Sequence, residues 1–113
     1  EAGVQGKSLA DILTGDQDPN SHRSSVYSEY YAAMPWHQDP EAYGTMVFDG
    51  RYKLSRFHST EEGELYDLLQ DPDEYHNLWY EPDYIQIKVQ MLELLSDRMA
   101  GTVDPLPLPT DKW

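Results

Sequence analysis

A chain of 113 residues is long enough for one domain and too short for two, and its nine tyrosines with 39% apolar residues suit a small aromatic core rather than a disordered segment. Acidic residues outnumber basic ones 21 to 8, a formal charge of −13 that repels phosphate backbones and argues against a nucleic-acid partner. With no cysteine the chain can form no disulfide, zinc thiolate or thiol nucleophile, and no apolar run in it reaches the length of a membrane span.

The chain opens on Glu-Ala-Gly-Val-Gln-Gly-Lys-Ser, without an initiator methionine or a leader, so a piece of a longer polypeptide is expected. Residues 8–15 have the pattern of a short capped helix. Ser8 can accept a bond from a first-turn amide, Asp11 sits where a capping-box acid belongs, and Gly15 can take the left-handed stop. Leu9, Ile12 and Leu13 share one face, and two turns of helix are not stable alone, so that face must pack on something. Residues 16–25 are polar, with Asp18-Pro19-Asn20 as turn chemistry, and are expected to link. Val26-Tyr-Ser-Glu-Tyr-Tyr31 is expected as a strand, and residues 32–43, with two prolines, Trp36 and His37, as a loop.

Thr45-Met-Val-Phe48, then Asp49-Gly50, then Arg51-Tyr-Lys-Leu-Ser55 predicts a two-residue hairpin, because Asp-Gly supplies the positive φ of a type I′ turn. That register sets Val47 opposite Tyr52 and Thr45 opposite Leu54 on the core side. Met46 and Phe48 lie beside Lys53 and Arg51 on the other face. Residues 59–63 make an acidic turn, and Glu64-Leu-Tyr-Asp-Leu68 is a further strand antiparallel to the hairpin. Asp71-Pro72-Asp73-Glu74 has the signature of a helix start and predicts one turn running to Asn77 and Leu78.

Residues 82–100 form the plainest helix. Gln86, Gln90, Glu93 and Asp97 make a narrow polar stripe. Ile85, Val89, Leu92, Leu95 and Met99 line the other side, widened by Tyr84, Ile87, Met91 and Leu94. Lys88 falls inside the apolar arc and is expected to lay its stem on the core with its amine in water. Beyond Gly101 the proline-leucine run is extended. The sum is an α+β fold: about four antiparallel strands with the long C-terminal helix on one face, a two-layer sandwich.

A fold of this kind does not specify function. The segment Gly63-Glu-Leu-Tyr-Asp-Leu-Leu-Gln-Asp-Pro-Asp-Glu-Tyr-His-Asn-Leu78 does more, because it resembles the C-terminal signature of sulfatases, in which Glu-Leu-Tyr-Asp-Leu leads into Asp-Pro-x-Glu-x-x-Asn-Leu. Gly6-Lys-Ser-Leu9, with Leu13 and Gly15, and Asp49-Gly-Arg-Tyr-Lys-Leu54 are similar to two further segments of that family, in the same order. Phe48 departs from the pattern, which often has arginine there.

The resemblance implies a C-terminal accessory domain of a sulfuric-ester hydrolase. Residues 1–22 would be the junction with a catalytic domain, 23–101 the α+β domain and 102–113 a proline-rich tail. The large catalytic domain of such enzymes, similar to alkaline phosphatases, holds a divalent metal, usually calcium, and a formylglycine made within a Cys/Ser-x-Pro-x-Arg motif. No such motif stands in this chain, so no catalytic residue, metal ligand or cofactor is expected within it, and the chain alone should be inactive. Its partners would be the N-terminal catalytic domain and, for the parent enzyme, a sulfated sugar or aryl ester. Enzymes of this family are commonly periplasmic, secreted or lysosomal.

The candidates for substrate contact are Trp36 and His37, an indole that can stack on a ring and an imidazole that offers a polar handle. Both also suit plain loop anchoring. His22, His58 and His76 lack metal-type spacing. Asp71 and Glu74 suit a helix cap, and alternation puts Glu64 and Asp67 on opposite faces. Arg51 and Lys53 would make a solvated or interdomain basic patch. Two alternatives stay open: a free-standing protein- or carbohydrate-binding module, and the same domain of a related phosphonate or phosphate ester hydrolase. A domain attached to a catalytic partner should leave Leu9, Ile12 and Leu13 exposed when alone, whereas a free module should cover them.

Overall fold

Period-two alternation in residues 26–31 and 43–67 and a 3.6-residue period after residue 82 build the two layers. The computed structural model describes residues 6–31 and 43–102. Four strands, β1 (Val26–Tyr31), β2 (Tyr43–Phe48), β3 (Tyr52–Phe57) and β4 (Gly63–Asp67), make one antiparallel sheet in the order β1-β2-β3-β4. A short helix α1 (Ala10–Thr14) precedes the sheet. The long helix α2 (Ile85–Ala100), entered through a 3₁₀ turn at Pro82–Tyr84, packs on one sheet face. This is the α+β sandwich that the pattern of apolar residues implies.

The core is a row across the sheet. Val47 pairs with Leu54 and Leu54 with Leu65, and all three are 0% exposed. Met91 and Leu95, one helical turn apart on α2, and Trp79 close over that row. Deleting the buried side chain of Leu54 would leave a cavity in the middle of it, at a cost of about 2–5 kcal/mol.

Four details differ from the sequence expectation, each for a local reason. Phe48 pairs with Lys53, Val47 with Leu54 and Thr45 with Arg56, so the hairpin register is shifted by two residues. Gly50, at φ 102°, and Arg51 are the central turn residues, with glycine first as a type II′ turn requires. Asp49 acts instead as the turn's acceptor, taking bonds from the amides of Arg51 (2.8 Å) and Tyr52 (2.7 Å). A shift of two preserves the faces, so Thr45, Val47 and Leu54 still point to the core.

The segment from Asp71 to Leu78 is not helical. Glu74 takes a left-handed φ of 58°, and the Asp71 carboxylate accepts from the amides of Tyr75 (3.1 Å) and His76 (2.8 Å), closing a turn. Along α2 the buried stripe centres on Met91 and Leu95, which leaves Ile85 (53%) and Val89 (47%) exposed. Lys88 does not reach for water: its amine donates to the Trp79 carbonyl (2.8 Å) and lies 4.8 Å from the centre of the Trp79 ring.

Candidate docking surface and rim groove

The acidic and basic residues that looked like candidates for chemistry are engaged in holding the fold. Arg51 makes a forked contact to Asp67, Nε to Oδ1 at 3.1 Å and Nη2 to Oδ2 at 2.7 Å. Asp67, buried in β4, also accepts from the Leu69 amide at 3.2 Å. The Arg51 bond, opposed by burial and aided by the backbone amides, holds the Asp67 carboxyl below the usual carboxylate range. The amide bonds from His76 and Tyr75 likewise lower Asp71.

Lys53 pairs with Glu74 and lies 5.7 Å from the Tyr66 ring centre. Arg51 and Lys53 are therefore not a free basic patch. Arg56 donates to the carbonyls of Phe57 (2.8 Å), Glu62 (2.5 Å) and Thr60. Asn77 stitches the turn to β4: its amide donates to Gly63 O (3.1 Å) while its oxygen accepts from the amides of Leu65 (3.1 Å) and Trp79 (3.0 Å). The conspicuous Glu-Leu-Tyr-Asp…Asn-Leu segment is thus a folding device.

Among the described residues no three His, Asp or Glu side chains converge to hold a metal ion. His58 places Nε2 2.8 Å from Thr45 Oγ1, His76 stands exposed beside Asp71, and His22 lies 3.4 Å from Gln17 through Nδ1. The chain also has no cysteine and no serine followed by Pro-x-Arg. The described residues thus offer no cluster for calcium, and the sequence holds no formylglycine motif. The Tyr27 phenol is pushed well up by burial and by its bond to Glu29 (2.6 Å).

Two surfaces stand out instead. The first is a groove of about 550 Å³ on the sheet face turned away from α2, within the size range of small-molecule sites. Two cross-strand rows shape it: Ser28, Met46 and Ser55, then Tyr30, Gly44 and Phe57. Small residues at 28, 44 and 55 lower the floor, while Tyr30, Met46 and Phe57 form walls, with Tyr43 and His58 at one end. Sequence reasoning missed this groove, although the period-two signal already placed Met46 on that face. Trp36 and His37 lie outside the described residues; the strand ends that flank them, Tyr30 and Tyr43, line the groove.

The second surface is α1. Gly15 turns left-handed at φ 83° as the sequence implies, whereas the N-cap is Leu9 rather than Ser8, whose Oγ accepts from the Ala10 amide (3.1 Å) without an Asp11 capping box. No residue of α1 is buried, and Leu9 (57%) and Leu13 (84%) face solvent.

The comparisons with known proteins bear on the family and the fold. The model of the family described as N-sulphoglucosamine sulphohydrolase, C-terminal, matches residues 1–100. The Delta 4,5-hexuronate-2-O-sulfatase of Bacteroides thetaiotaomicron is 34% identical over 99 residues, 88% of this chain and 20% of that protein. Among solved structures, a 2-O GAG sulfatase matches with a TM-score of 0.75 at 31% identity, over 87% of this chain and 20% of that one. The phosphonate monoester hydrolase of Agrobacterium radiobacter shares the fold, with a TM-score of 0.68 at 24% identity over 88% of this chain and 21% of that one. The chain spans between 19% and 28% of the length of the curated relatives it matches.

Proposed function

The chain belongs to the family of C-terminal N-sulphoglucosamine sulphohydrolase domains, and from that premise we propose that it is the accessory domain of a larger sulfuric-ester hydrolase, docked on a catalytic domain. Residues 23–101 are the folded unit, residues 1–22 the junction toward the catalytic domain, and residues 102–113 an appended tail. The observation that carries this reading is the exposure of Leu9 and Leu13 on a helix that buries nothing. A five-residue helix cannot hold itself together in water, so its apolar face needs a surface from outside the chain. A free-standing module would fold that face back under cover.

Division of labour follows from the side chains. The calcium and the formylglycine would belong to the catalytic domain, where metal and basic groups stabilise the sulfuryl oxygens. This domain would contribute a rim. The cations Arg51, Lys53, Arg56 and Lys88 are already paired within the chain and offer sulfate little. The aromatic groove suits the uncharged ring of a sulfated sugar or aryl ester, and Trp36 and His37 would extend it from the strand ends.

The test is hydrolysis of an aryl sulfate and an aryl phosphonate by this chain alone and by the product of the whole reading frame. We expect no turnover by the chain alone and sulfate ester hydrolysis by the whole protein, encoded with a Cys/Ser-x-Pro-x-Arg motif ahead of residue 1. Turnover by the chain alone would overturn the division of labour. Preference of the whole protein for the phosphonate would move it to the phosphonate ester hydrolases.

A further inference from the structure

The two edges of the sheet are finished in opposite ways. Between β2 and β3 the Asp49 amide donates to the Tyr52 carbonyl (3.2 Å) and the His58 amide to the Tyr43 carbonyl (2.8 Å). Backbone bonding alternates along an antiparallel strand, so Gly44, Met46 and Phe48 bond toward β1 instead. Their partners Tyr30, Ser28 and Val26 turn inward, and the amides and carbonyls of Tyr27, Glu29 and Tyr31 point off the sheet. By the same alternation Gly63, Leu65 and Asp67 point outward from β4.

On β4 the chain caps those groups itself. The Asn77 side chain donates to the Gly63 carbonyl (3.1 Å) and accepts from the Leu65 amide (3.1 Å). The Leu78 amide donates to the Leu65 carbonyl (2.8 Å), and the Asp71 amide to the Asp67 carbonyl (2.7 Å). On β1 none of the outward backbone groups has a partner among the described residues. Nor is that edge blunted. It reads Val-Tyr-Ser-Glu-Tyr-Tyr, strand-forming residues without a proline, lysine or glycine, and such an edge is a template for another strand. A second copy fits it badly: pairing two β1 edges about their midpoint sets Glu29 against Glu29, on chains that each carry −13.

We infer that the outer edge of β1 pairs with an extended segment of the catalytic domain, which adds a further strand to the sheet. This rests on the reading above that such a domain exists. The relatives leave ample chain to supply the segment, since this chain spans only 19% to 28% of their length. Cross-strand pairing specifies its side chains: β-branched or aromatic residues opposite Tyr27 and Tyr31, and a lysine, arginine or threonine opposite Glu29. The added strand extends the floor of the rim groove past Ser28 and Tyr30, which brings the groove against the catalytic domain.

The experiment is hydrogen exchange of the intact protein, read amide by amide by fragmentation mass spectrometry, with aryl sulfate hydrolysis measured on the same sample. The Ser28 and Tyr30 amides, bonded to β2, are the internal standard. We expect the Tyr27, Glu29 and Tyr31 amides to exchange as slowly as these, about a hundredfold or more below the rate of an unpaired amide. Glu29→Pro removes one outward donor and leaves the β2 ladder whole, so it should release Tyr27 and Tyr31 while Ser28 and Tyr30 stay slow. Fast exchange at the three outward amides of the intact protein would overturn the inference. So would protection that disappears on dilution, which assigns the edge to a second copy. Protection lost when residues 34–40 are replaced by two glycines would overturn it too, by assigning the edge to that segment. Sulfate hydrolysis with an unprotected edge sinks this pairing and leaves the proposed function standing; a protected edge without hydrolysis does the reverse.

Discussion

From β4 to Trp79 four polar side chains are bonded inside the chain, whereas on α1 Leu9 and Leu13 face solvent. In the first region Asp67, Asp71, Glu74 and Asn77 hold Arg51, two turn amides, Lys53 and the backbone of β4 respectively. The segment could hardly offer those groups to a substrate without unfolding. In the second, α1 ends on a left-handed Gly15 and leaves Leu9 and Leu13 exposed, with only Ile12 half-buried. The contrast teaches that the family's conspicuous sequence marks a self-contained scaffold, while two ordinary aliphatic residues, Leu9 and Leu13, are left exposed and, on the reading proposed above, make the attachment.

The sharpest way to break the scaffold is Gly63→Ala. An added Cβ would sit 2.6 Å from three carbons of the Trp79 ring, closer than real contacts allow, and the ring is buried. Either the indole leaves the core or β4 moves, so we expect a loss of about 3 kcal/mol, the upper end for an overpacked site. Urea unfolding measures it. A change within a few tenths would mean that Trp79 does not lie flat on β4.

Asp67→Asn comes next. The substitution keeps the shape but removes the charge that Arg51 grips, and we expect a loss of about 2 kcal/mol at neutral pH, typical of a charge-assisted bond with a buried partner. The sign of the pH dependence is fixed by the direction of the shift. Because the folded carboxyl is held below its unfolded value, its stabilisation is complete above about pH 4 and is lost as pH falls through the folded pKa. The gap between wild type and the Asp67→Asn variant should therefore close in acid. A gap that persists at about pH 2 would show that geometry, not charge, sets the cost.

Periodicity explains why the sheet, the long helix and the apolar face of α1 were readable in sequence, though not whether that face is covered. Alternation in β2 and β3 fixes which side chains meet the core whatever the register, so the Asp-Gly turn could slip by two residues without moving Val47 or Leu54 off it. What the periods do not encode is the behaviour of single polar side chains. Asp49 accepts amide bonds rather than occupying the turn, Glu74 goes left-handed to reach Lys53, and Lys88 turns back to Trp79. The groove was illegible for another reason: it depends on Ser28, Gly44 and Ser55 being small side by side, and only the pairing of three strands brings them together.

Leu13→Glu gives the smallest expected effect on the chain alone and separates the two regions best. At 84% exposure the side chain has little to lose, so unfolding of the isolated chain should change by no more than about 0.5 kcal/mol. In the intact enzyme the same change would place a charge against the docking surface and forfeit the burial of a leucine, about 1.5–3 kcal/mol. Thermal unfolding of both forms measures the difference, and the docking reading requires the intact enzyme to suffer more. If the isolated chain lost about 1 kcal/mol or more, Leu13 would be packing against its own sheet. The helix would then be part of the scaffold rather than its handle.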